Sequence, residues 1–464
     1  MLLKRGHKQS NDRRRKQHRV RLARKIRLAA ISVVALCLLG AEHGPSVRDV
    51  YNGTLSLTDE VNTFRHIDQV FPSAVVKAGT HPLPLPKSTT PIRDVSIAWA
   101  GQRLSLDDYV SLNRVAGLLV LKNGRIALER YGFGNNRDTR WVSFSVVKSI
   151  TSTLAAAAIH DGFIRSIDDP VVRYLPALKG SAYGGVSIRN LLQMASGVRW
   201  NEAYTDPSSD RRKMLDLQMT QRPGSLLRFM ASLPRAASPG TRWNYNTGET
   251  YVLGALVREA VRRPLSRYLS QKIWTPLGME RDATWWTESP GGVEFGGSGF
   301  AATLRDYGRF GQFVLNGGTA NGKPVVPPAW FPHAGVPKRV GSGTVPYGYM
   351  WWSEPGGAFR AVRHIRTEYL HQPVRARCRR GLERSTEANR FSRYQRPSCL
   401  QRPDHRSSLA SKRFIQTQAV PNFIMTMPVM IKHAARIRVV LACPPSSMIS
   451  ATKAPTAPIP VQTI

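Results

Sequence analysis

The sequence predicts an α/β (α+β) domain, in which an antiparallel sheet is flanked by helices and carries a helical subdomain. Three features of the pattern support this fold class. A hairpin signal lies at 117–131, mostly helical segments follow over 163–290, and strand-like aromatic sequence returns at 346–354. Strands that are separated in the chain by a long helical segment are typical of a sheet with a helical insertion.

The chain has 464 residues, of which 42% are hydrophobic, so it is long enough to build a large core. Its net charge of +37 is concentrated at its two ends. Residues 1–27 contain twelve Lys or Arg and one acid, and residues 361–464 contain eighteen and four. Because the charge does not lie mainly on the body, we predict no nucleic-acid partner. The alternative interpretation of the charge, from a different functional class, is a basic protein that binds nucleic acid or a membrane surface.

The N-terminal segment has the pattern of a secretion signal or a signal anchor. Residues 4–27 are densely basic, and residues 28–41 form an uninterrupted apolar run, LAAISVVALCLLGA. The run is short for a membrane span and no clear cleavage site follows it, so a basic arm before a buried helix is the alternative. We predict an exported protein that is periplasmic or anchored in the membrane by residues 28–41.

Composition divides the rest of the chain. The Pro-rich patch within 42–100 predicts an extended linker there, followed by a catalytic body over 101–362 and a basic, disordered tail over 363–464. The cysteines all lie outside the body, at Cys37, Cys378, Cys399 and Cys443. A disulfide framework or a cysteine metal site in the body is therefore excluded. Since no zinc-ligand or nucleotide-binding motif occurs either, we predict no metal and no cofactor.

The hairpin and the helix after it are the clearest local elements. Two apolar-rich runs flank Asn123-Gly124, a dipeptide that favours a tight primed turn. The Ala-rich segment 141–162 predicts a helix that ends at Gly162. Ser145 then lies at the start of this helix and Lys148 lies one turn further in.

Ser145 and Lys148 form a Ser-x-x-Lys pattern, which is typical of an activated nucleophile. A serine hydroxyl needs a nearby base, and residues three apart on a helix lie on the same face. The positive field of a helix N-terminus also favours negative charge that develops there. The pattern often occurs by chance. Its position at the start of a helix, directly after a hairpin, is therefore the main support for a catalytic role.

Tyr245 begins a second pattern, Tyr245-Asn246-Thr247, within PGTRWNYNTGETYVLGALV. A phenol can pass protons if a neighbouring ammonium lowers its pKa. Taken alone, this pattern is better explained by a tyrosine in a turn before a helix.

Together the two patterns resemble the superfamily of class C β-lactamases, penicillin-binding proteins and related esterases. Several flanking segments resemble it in the same order, among them SIRNLLQMASGV, PGTRWNYNTGE and GFAATLRDYGRFGQ. The segment WNEAYTDPSSD at 200–210 and the flank of Tyr245 look most like the 6-aminohexanoate-dimer hydrolase (nylon-oligomer hydrolase) branch. The resemblance covers about 100–360 and implies a β-lactamase/transpeptidase-like fold.

The resemblance also implies a set of roles. Ser145 would be the acyl-enzyme nucleophile, Lys148 its proton acceptor, and Tyr245 the group that returns the proton to the leaving amine or alcohol. Tyr204 would contact the substrate, and Thr247 would offer it a hydrogen bond. Many relatives have Tyr-Ser-Asn where this chain has Tyr-Asn-Thr, so recognition of a lactam is in doubt. The implied substrate is a small-molecule amide or ester.

The family pattern stops near Arg363. A third motif, Lys-Thr-Gly or His-x-Gly, should follow on a strand that supplies part of the oxyanion hole, yet 363–464 is Arg-rich and aperiodic. A one-base frame slip explains this, because allowed codons for 363–373 read one base later give Gly-Ile-Phe-Gly-Gln-Ser-Ile-Tyr-Ile-Asn-Pro. We therefore predict that the C-terminal strands are missing and that activity is impaired. A genuine basic extension is the alternative.

Two functional hypotheses follow from the patterns. The first is a serine amidohydrolase or esterase that acts through an acyl-enzyme. The second is a penicillin-binding or sensor-type protein that becomes acylated and stops. The rate of deacylation distinguishes them.

Overall fold

The computed structural model describes residues 47–93, 95–99, 102–354, 357–362, 422–428 and 438–441. The chain forms two compact units, Met1–Leu55 and Ser56–Ile464. In the first unit, the described residues contain one helix, α1 (Val47–Asn52). The residues predicted to be a signal or anchor, 1–41, lie outside the described part of the chain.

The second unit mixes helices and antiparallel sheets, which confirms the predicted fold class. Its described α-helices are α2 (Leu57–Arg65), α3 (Leu106–Leu112), α4 (Val147–His160), α5 (Ile188–Leu192), α6 (Asp210–Met219), α7 (Ser225–Ser232), α8 (Thr247–Val261), α9 (Leu265–Leu269), α10 (Leu304–Leu315) and α11 (Trp330–Ala334). Short 3₁₀ turns lie at Ile67–Gln69, Phe144–Val146, Val171–Arg173 and Pro176–Leu178, and a π-helical turn at Ser270–Trp274. No helix in these described residues is long and apolar enough to cross a bilayer.

The strands in the described part of the chain form two larger sheets and three two-stranded ribbons. The six-stranded sheet contains, in spatial order, β13 (Trp352–Ser353), β14 (Phe359–Val362), β16 (Arg438–Leu441), β15 (Asn422–Pro428), β4 (Val115–Lys122) and β5 (Arg125–Tyr131). The four-stranded sheet contains β1 (Ser73–Val76), β7 (Ala283–Trp286), β8 (Phe300–Thr303) and β6 (Arg140–Val142). The ribbons are β2 (Ser96–Trp99) with β3 (Gln102–Ser105), β9 (Thr319–Ala320) with β10 (Lys323–Pro324), and β11 (Lys338–Val340) with β12 (Gly343–Val345).

The predicted hairpin is confirmed in strands β4 and β5. Both turn residues have positive φ, 52° at Asn123 and 73° at Gly124, as a primed two-residue turn requires. The residues of β4 are almost all buried, which explains their unbroken apolar run.

The prediction that the last strands of this sheet are missing is wrong. Strands β15 and β16 come from the basic tail, and β15 pairs with β4 from Asn422 to Pro428. Their sequences, NFIMTMP and RVVL, are rich in apolar and β-branched residues, which favour strands. These segments are short, so they do not change the basic composition of the tail as a whole. The frame-slip hypothesis concerns residues that begin at 363, and 363–421 lie outside the described part of the chain.

The prediction of an extended linker over 42–100 is also wrong for its central part. Helix α2 packs its Phe64 edge-on against Trp141, with 5.6 Å between ring centroids. Strand β1 pairs with β7, with Ser73 opposite Trp286. Val61 and Phe64 of α2 and Val76 of β1 are buried, so both elements are part of the body.

Helix α4 is the central element of the body. All of its residues from Val147 to Ala158 are buried, which explains why the segment is Ala-rich rather than amphipathic. It ends at His160 with Asp161 as its C-cap, and Gly162 follows with φ of 79°, as predicted. Helix α4 packs along α8, so residues near the start of each helix are brought together although about a hundred residues separate them.

Candidate active site

Ser145 lies in a tight turn between strand β6 and helix α4. The turn Phe144–Val146 is a 3₁₀ helix, and Phe144 adopts the left-handed φ of 46°, which is uncommon for a residue with a Cβ. Strained backbone at such a position is frequently associated with functional sites. The hydroxyl of Ser145 is therefore held at the N-terminal end of α4, where the helix field favours negative charge.

Lys148 points back along the helix toward Ser145. Its Nζ lies 2.9 Å from Ser145 Oγ and donates to the carbonyl oxygen of Gly297 at 2.8 Å. The side chain is only 2% exposed, and burial lowers the pKa of its ammonium to about 7, with Glu202 opposing and Arg211 adding to the change. At neutral pH a large fraction of Lys148 is therefore a neutral amine that can accept a proton.

Gly297, whose carbonyl oxygen binds Lys148, packs closely against the start of helix α8. A Cβ on Gly297 would lie 2.8 Å from Thr247 Cγ2 and 3.0 Å from the Thr247 carbonyl oxygen. The absence of a side chain therefore permits this close packing against Thr247. Sequence reasoning did not single out this residue, since one glycine among several in GGVEFGGSGF carries no signal of its own.

Tyr245 lies in the segment that leads into helix α8, with its ring centroid 5.2 Å from Lys148 Nζ. Asn246 caps this helix by accepting from the backbone N–H of Glu249. Burial and the charge of Glu202 raise the pKa of Tyr245, and interaction with the Ser145 hydroxyl offsets part of the rise. The sequence-based expectation that a neighbouring ammonium lowers this pKa is therefore not met, because desolvation is the largest effect and raises the pKa, and the phenol keeps its proton at neutral pH.

The structure thus brings together Ser145, Lys148 and Tyr245. Their exposed fractions are 8%, 2% and 7%, so the hydroxyl, the amine and the phenol meet in a site largely shielded from water. A partly neutral amine beside a hydroxyl can act as a base, and a protonated phenol can act as an acid. This combination suits attack on a carbonyl followed by protonation of a leaving group.

Tyr204 and Thr247, the two predicted substrate contacts, meet at a residue that sequence reasoning missed. The Tyr204 hydroxyl donates to Glu202 Oε1 at 2.8 Å, and the Thr247 hydroxyl donates to the same oxygen at 2.5 Å. The Thr247 backbone N–H donates to Glu202 Oε2 at 2.9 Å. In this structure the hydroxyls of both residues point to the carboxylate of Glu202.

Aromatic side chains form the other wall of the site. The ring of Tyr245 stacks on Trp352 with 6.1 Å between centroids. Trp243 and Tyr347 pack around the same pair at centroid distances of 4.9–6.5 Å. We call Trp243, Tyr347 and Trp352 the aromatic wall. It provides an apolar surface beside the nucleophile.

Other features of the site bear on cofactors and on the third motif. Among the described residues, no group of three or more His, Cys, Asp or Glu is arranged to hold a metal ion. Strand β14 packs against the turn that carries Ser145. The third motif was expected soon after β14, and that part of the chain lies outside the described residues.

Comparison with known families gives one match that covers more than half of the chain. The family model described as Beta-lactamase matches residues 113–371. This range contains the three residues that the structure brings together, and it ends shortly after the point where the predicted pattern stops.

Comparison with characterised proteins and with solved structures agrees with this. The chain is 33% identical to the 6-aminohexanoate-dimer hydrolase of Paenarthrobacter ureafaciens over 217 residues, which is 46% of this chain and 55% of that protein. It is 26% identical to a beta-lactamase of Pseudomonas fluorescens over 175 residues, 36% of this chain and 45% of the other. The chain therefore spans about half the length of these relatives.

Among solved structures, a putative 6-aminohexanoate-dimer hydrolase from Bacillus anthracis superposes with a TM-score of 0.58. The match has 23% identity and covers 64% of this chain and 81% of the other. At this identity the likeness supports the fold and nothing finer.

Proposed function

Because the chain belongs to the beta-lactamase family, we propose that it is a serine hydrolase that cleaves small amide or ester substrates through an acyl-enzyme. The observation that carries the proposal is the distance of 2.9 Å between Lys148 Nζ and Ser145 Oγ in a buried site. In this geometry an uncharged amine can take the proton of the hydroxyl as it attacks.

In the proposed acylation step, Ser145 Oγ forms a bond to the carbonyl carbon of the substrate while its proton moves to Lys148 Nζ. The bond from that carbon to the leaving nitrogen or oxygen then breaks. The phenol of Tyr245 donates its proton to the leaving group and is reprotonated from Lys148. Water then attacks the ester of Ser145, and the same groups transfer its proton in the reverse sense.

We propose a linear amide or ester, rather than a lactam, as the substrate. Support comes from the aromatic wall, whose rings pack around Tyr245, and from the relative named as 6-aminohexanoate-dimer hydrolase. Thr247 stands where many relatives have Asn, and its hydroxyl is engaged with Glu202. Comparing turnover of a linear 6-aminohexanoate dimer with that of nitrocefin tests this preference, and faster turnover of nitrocefin would contradict it.

The pH dependence of the reaction tests the role of Lys148. Since the pKa of Lys148 is about 7, the neutral amine is scarce below that pH and predominant above it. We expect kcat/KM for a p-nitrophenyl ester to rise about tenfold per pH unit below 7 and to level off above it. A rate that is flat or falling between pH 5.5 and 8, after correction for spontaneous hydrolysis, would exclude Lys148 as the base.

Replacing Tyr245 by phenylalanine tests proton transfer to the leaving group. The variant keeps the ring that stacks on Trp352 but removes the donor, so kcat should fall about a hundredfold or more while KM changes little. Tyr268→Phe is a matched control, because the Tyr268 hydroxyl donates to Asp161 at 2.8 Å and is remote from the catalytic groups. If both variants retained the same kcat, Tyr245 would have no role in proton transfer.

The alternative is a penicillin-binding or sensor-type protein that is acylated without turnover. It would give one equivalent of product per chain and then stop. Continued turnover after the burst, with p-nitrophenyl ester in excess, would favour the hydrolase.

We also propose that the protein is exported and is periplasmic or anchored in the membrane. The basic segment 4–27 and the apolar run 28–41 support this. Cell fractionation tests it, and a cytoplasmic protein that is unaffected by deletion of 28–41 would contradict it.

A further inference from the structure

We propose that Glu202 is a positioning residue of this site, whose carboxylate holds the loop at 200–204 against the start of helix α8. This inference rests on the proposed function. It assigns a role to a residue that neither the Ser-x-x-Lys pattern nor the Tyr245 pattern includes.

The carboxylate of Glu202 accepts from four donors in two separate segments. Within the loop, the Tyr204 hydroxyl donates to Oε1 and the Trp200 indole N–H donates to Oε2. From helix α8, Thr247 donates both its hydroxyl and its backbone N–H. One side chain thereby joins two segments that lie 45 residues apart in the sequence.

Because these four contacts occupy the carboxylate, Glu202 is not suited to binding an amine of the substrate. A carboxylate has about four acceptor positions in all, and protein donors use the same number here. Charge-assisted hydrogen bonds of this kind are strong and directional, so they hold their donors in place. The carboxylate is therefore suited to fixing geometry.

The geometry that it fixes belongs to the catalytic groups. Thr247 is the first residue of α8 and lies two residues after Tyr245. Backbone N–H groups in the first turn of a helix have no partner within the helix, and a carboxylate there also complements the helix dipole. Holding Thr247 therefore fixes the backbone that carries the Tyr245 phenol beside Lys148.

The charge of Glu202 acts on several groups that face it. It raises the pKa of Lys148 and of Tyr245, and it also raises the pKa of Tyr204 and Tyr347. Arg211 opposes it at Lys148, Tyr204 and Tyr245. Removing the negative charge should therefore lower the pKa of Lys148 further.

The test compares Glu202→Gln and Glu202→Asp in the full chain, with kcat, KM and the pH profile measured on a p-nitrophenyl ester. In the Gln variant the pKa of Lys148 falls, so the acid limb of kcat/KM should move to lower pH by about one unit. The NH₂ group of the glutamine would also face hydrogen-bond donors that the carboxylate now accepts from, so the loop and helix α8 would be held less well. We therefore expect kcat to fall about tenfold to a hundredfold with little change in KM. The Asp variant keeps the charge but shortens the reach, so the limb should stay in place while kcat falls.

The matched control is Asp206→Asn, which changes a carboxylate in the same stretch of chain that accepts from Ser208. It should leave both kcat and the limb unchanged. An acid limb and a kcat in Glu202→Gln that both match the parent would overturn the proposal. If Glu202→Gln does not fold, Glu202→Asp decides: a tenfold lower kcat with an unmoved limb supports the proposal, and a parental kcat overturns it.

Failure of the role of Glu202 and failure of the proposed function give different results. If Ser145→Ala abolishes turnover while the Glu202 variants behave like the parent, the hydrolase assignment stands and only the role of Glu202 fails. If Ser145→Ala retains turnover, the proposed function fails first.

Discussion

Replacing Ser145 by alanine is expected to reduce hydrolysis of a short ester or linear amide by about 10⁴-fold or more, because no acyl-enzyme can form without the hydroxyl. The stability of the fold should change little. The Lys148 amine keeps its contact with the Gly297 carbonyl at 2.8 Å, and only one small polar atom is lost. Initial rates and a thermal melt of the same preparation measure both effects.

Ser149→Ala is the control for this variant. Ser149 is buried on the same helix, and its hydroxyl donates to the Met350 carbonyl at 2.7 Å, away from the amine of Lys148. Its loss should cost about 1 kcal/mol of stability and leave most of the activity. Turnover in Ser145→Ala that equals turnover in Ser149→Ala would exclude Ser145 as the nucleophile.

Replacing Lys148 by methionine is expected to lower kcat by about 10³-fold or more and to make the protein more stable at neutral pH. Methionine fills a similar volume but cannot accept a proton. The loss of activity therefore comes from the missing base rather than from a cavity.

The gain in stability follows from the sign of the pKa change. Lys148 has a pKa of about 7 in the folded chain and 10.5 as its ordinary value, so the unfolded chain binds more protons between these pH values. The resulting penalty is fully present below pH 7 and disappears as pH rises toward 10.5. Removing it should stabilise the fold by about 1–4 kcal/mol at pH 7 and by less at pH 10.

Urea unfolding of the parent chain and Lys148→Met at pH 7 and pH 10 measures this difference. If Lys148 serves catalysis and its burial destabilises the fold, the variant should be less active and more stable than the parent. A variant that is both inactive and less stable would indicate that Lys148 mainly supports packing.

Local sequence patterns predicted those parts of the fold whose causes are local. The Asn123-Gly124 turn needs positive φ at two successive residues, and few other dipeptides provide it. The end of helix α4 was predictable for the same reason, since an Ala-rich sequence followed by a glycine is a short-range signal. Ser145 and Lys148 were found because their spacing is itself a helical contact.

Glu202 could not be found in this way. In the sequence it is one acid in a polar loop, where a solvated carboxylate is the ordinary expectation. Its partner Thr247 lies 45 residues away, and their contact depends on how the loop folds over helix α8. Tyr245 would have been missed equally without the family resemblance of its flank.

The two errors in the fold have a common cause. Composition over long windows suggested a linker at 42–100 and a strandless tail from 363. Strands β1 and β15 are only four and seven residues long, so their apolar residues barely change the average of such windows. Pairing with β7 and β4 is a long-range effect that short windows cannot reveal either.

Locating the covalent intermediate tests the central claim most directly. The full chain is mixed with excess p-nitrophenyl ester, quenched in acid within the first turnovers, digested and analysed by mass spectrometry. We expect one acyl group on Ser145, which is absent in Ser145→Ala and forms much more slowly in Lys148→Met. An acyl group on another residue, or sustained turnover with an unmodified Ser145 peptide at every quench time, would contradict it.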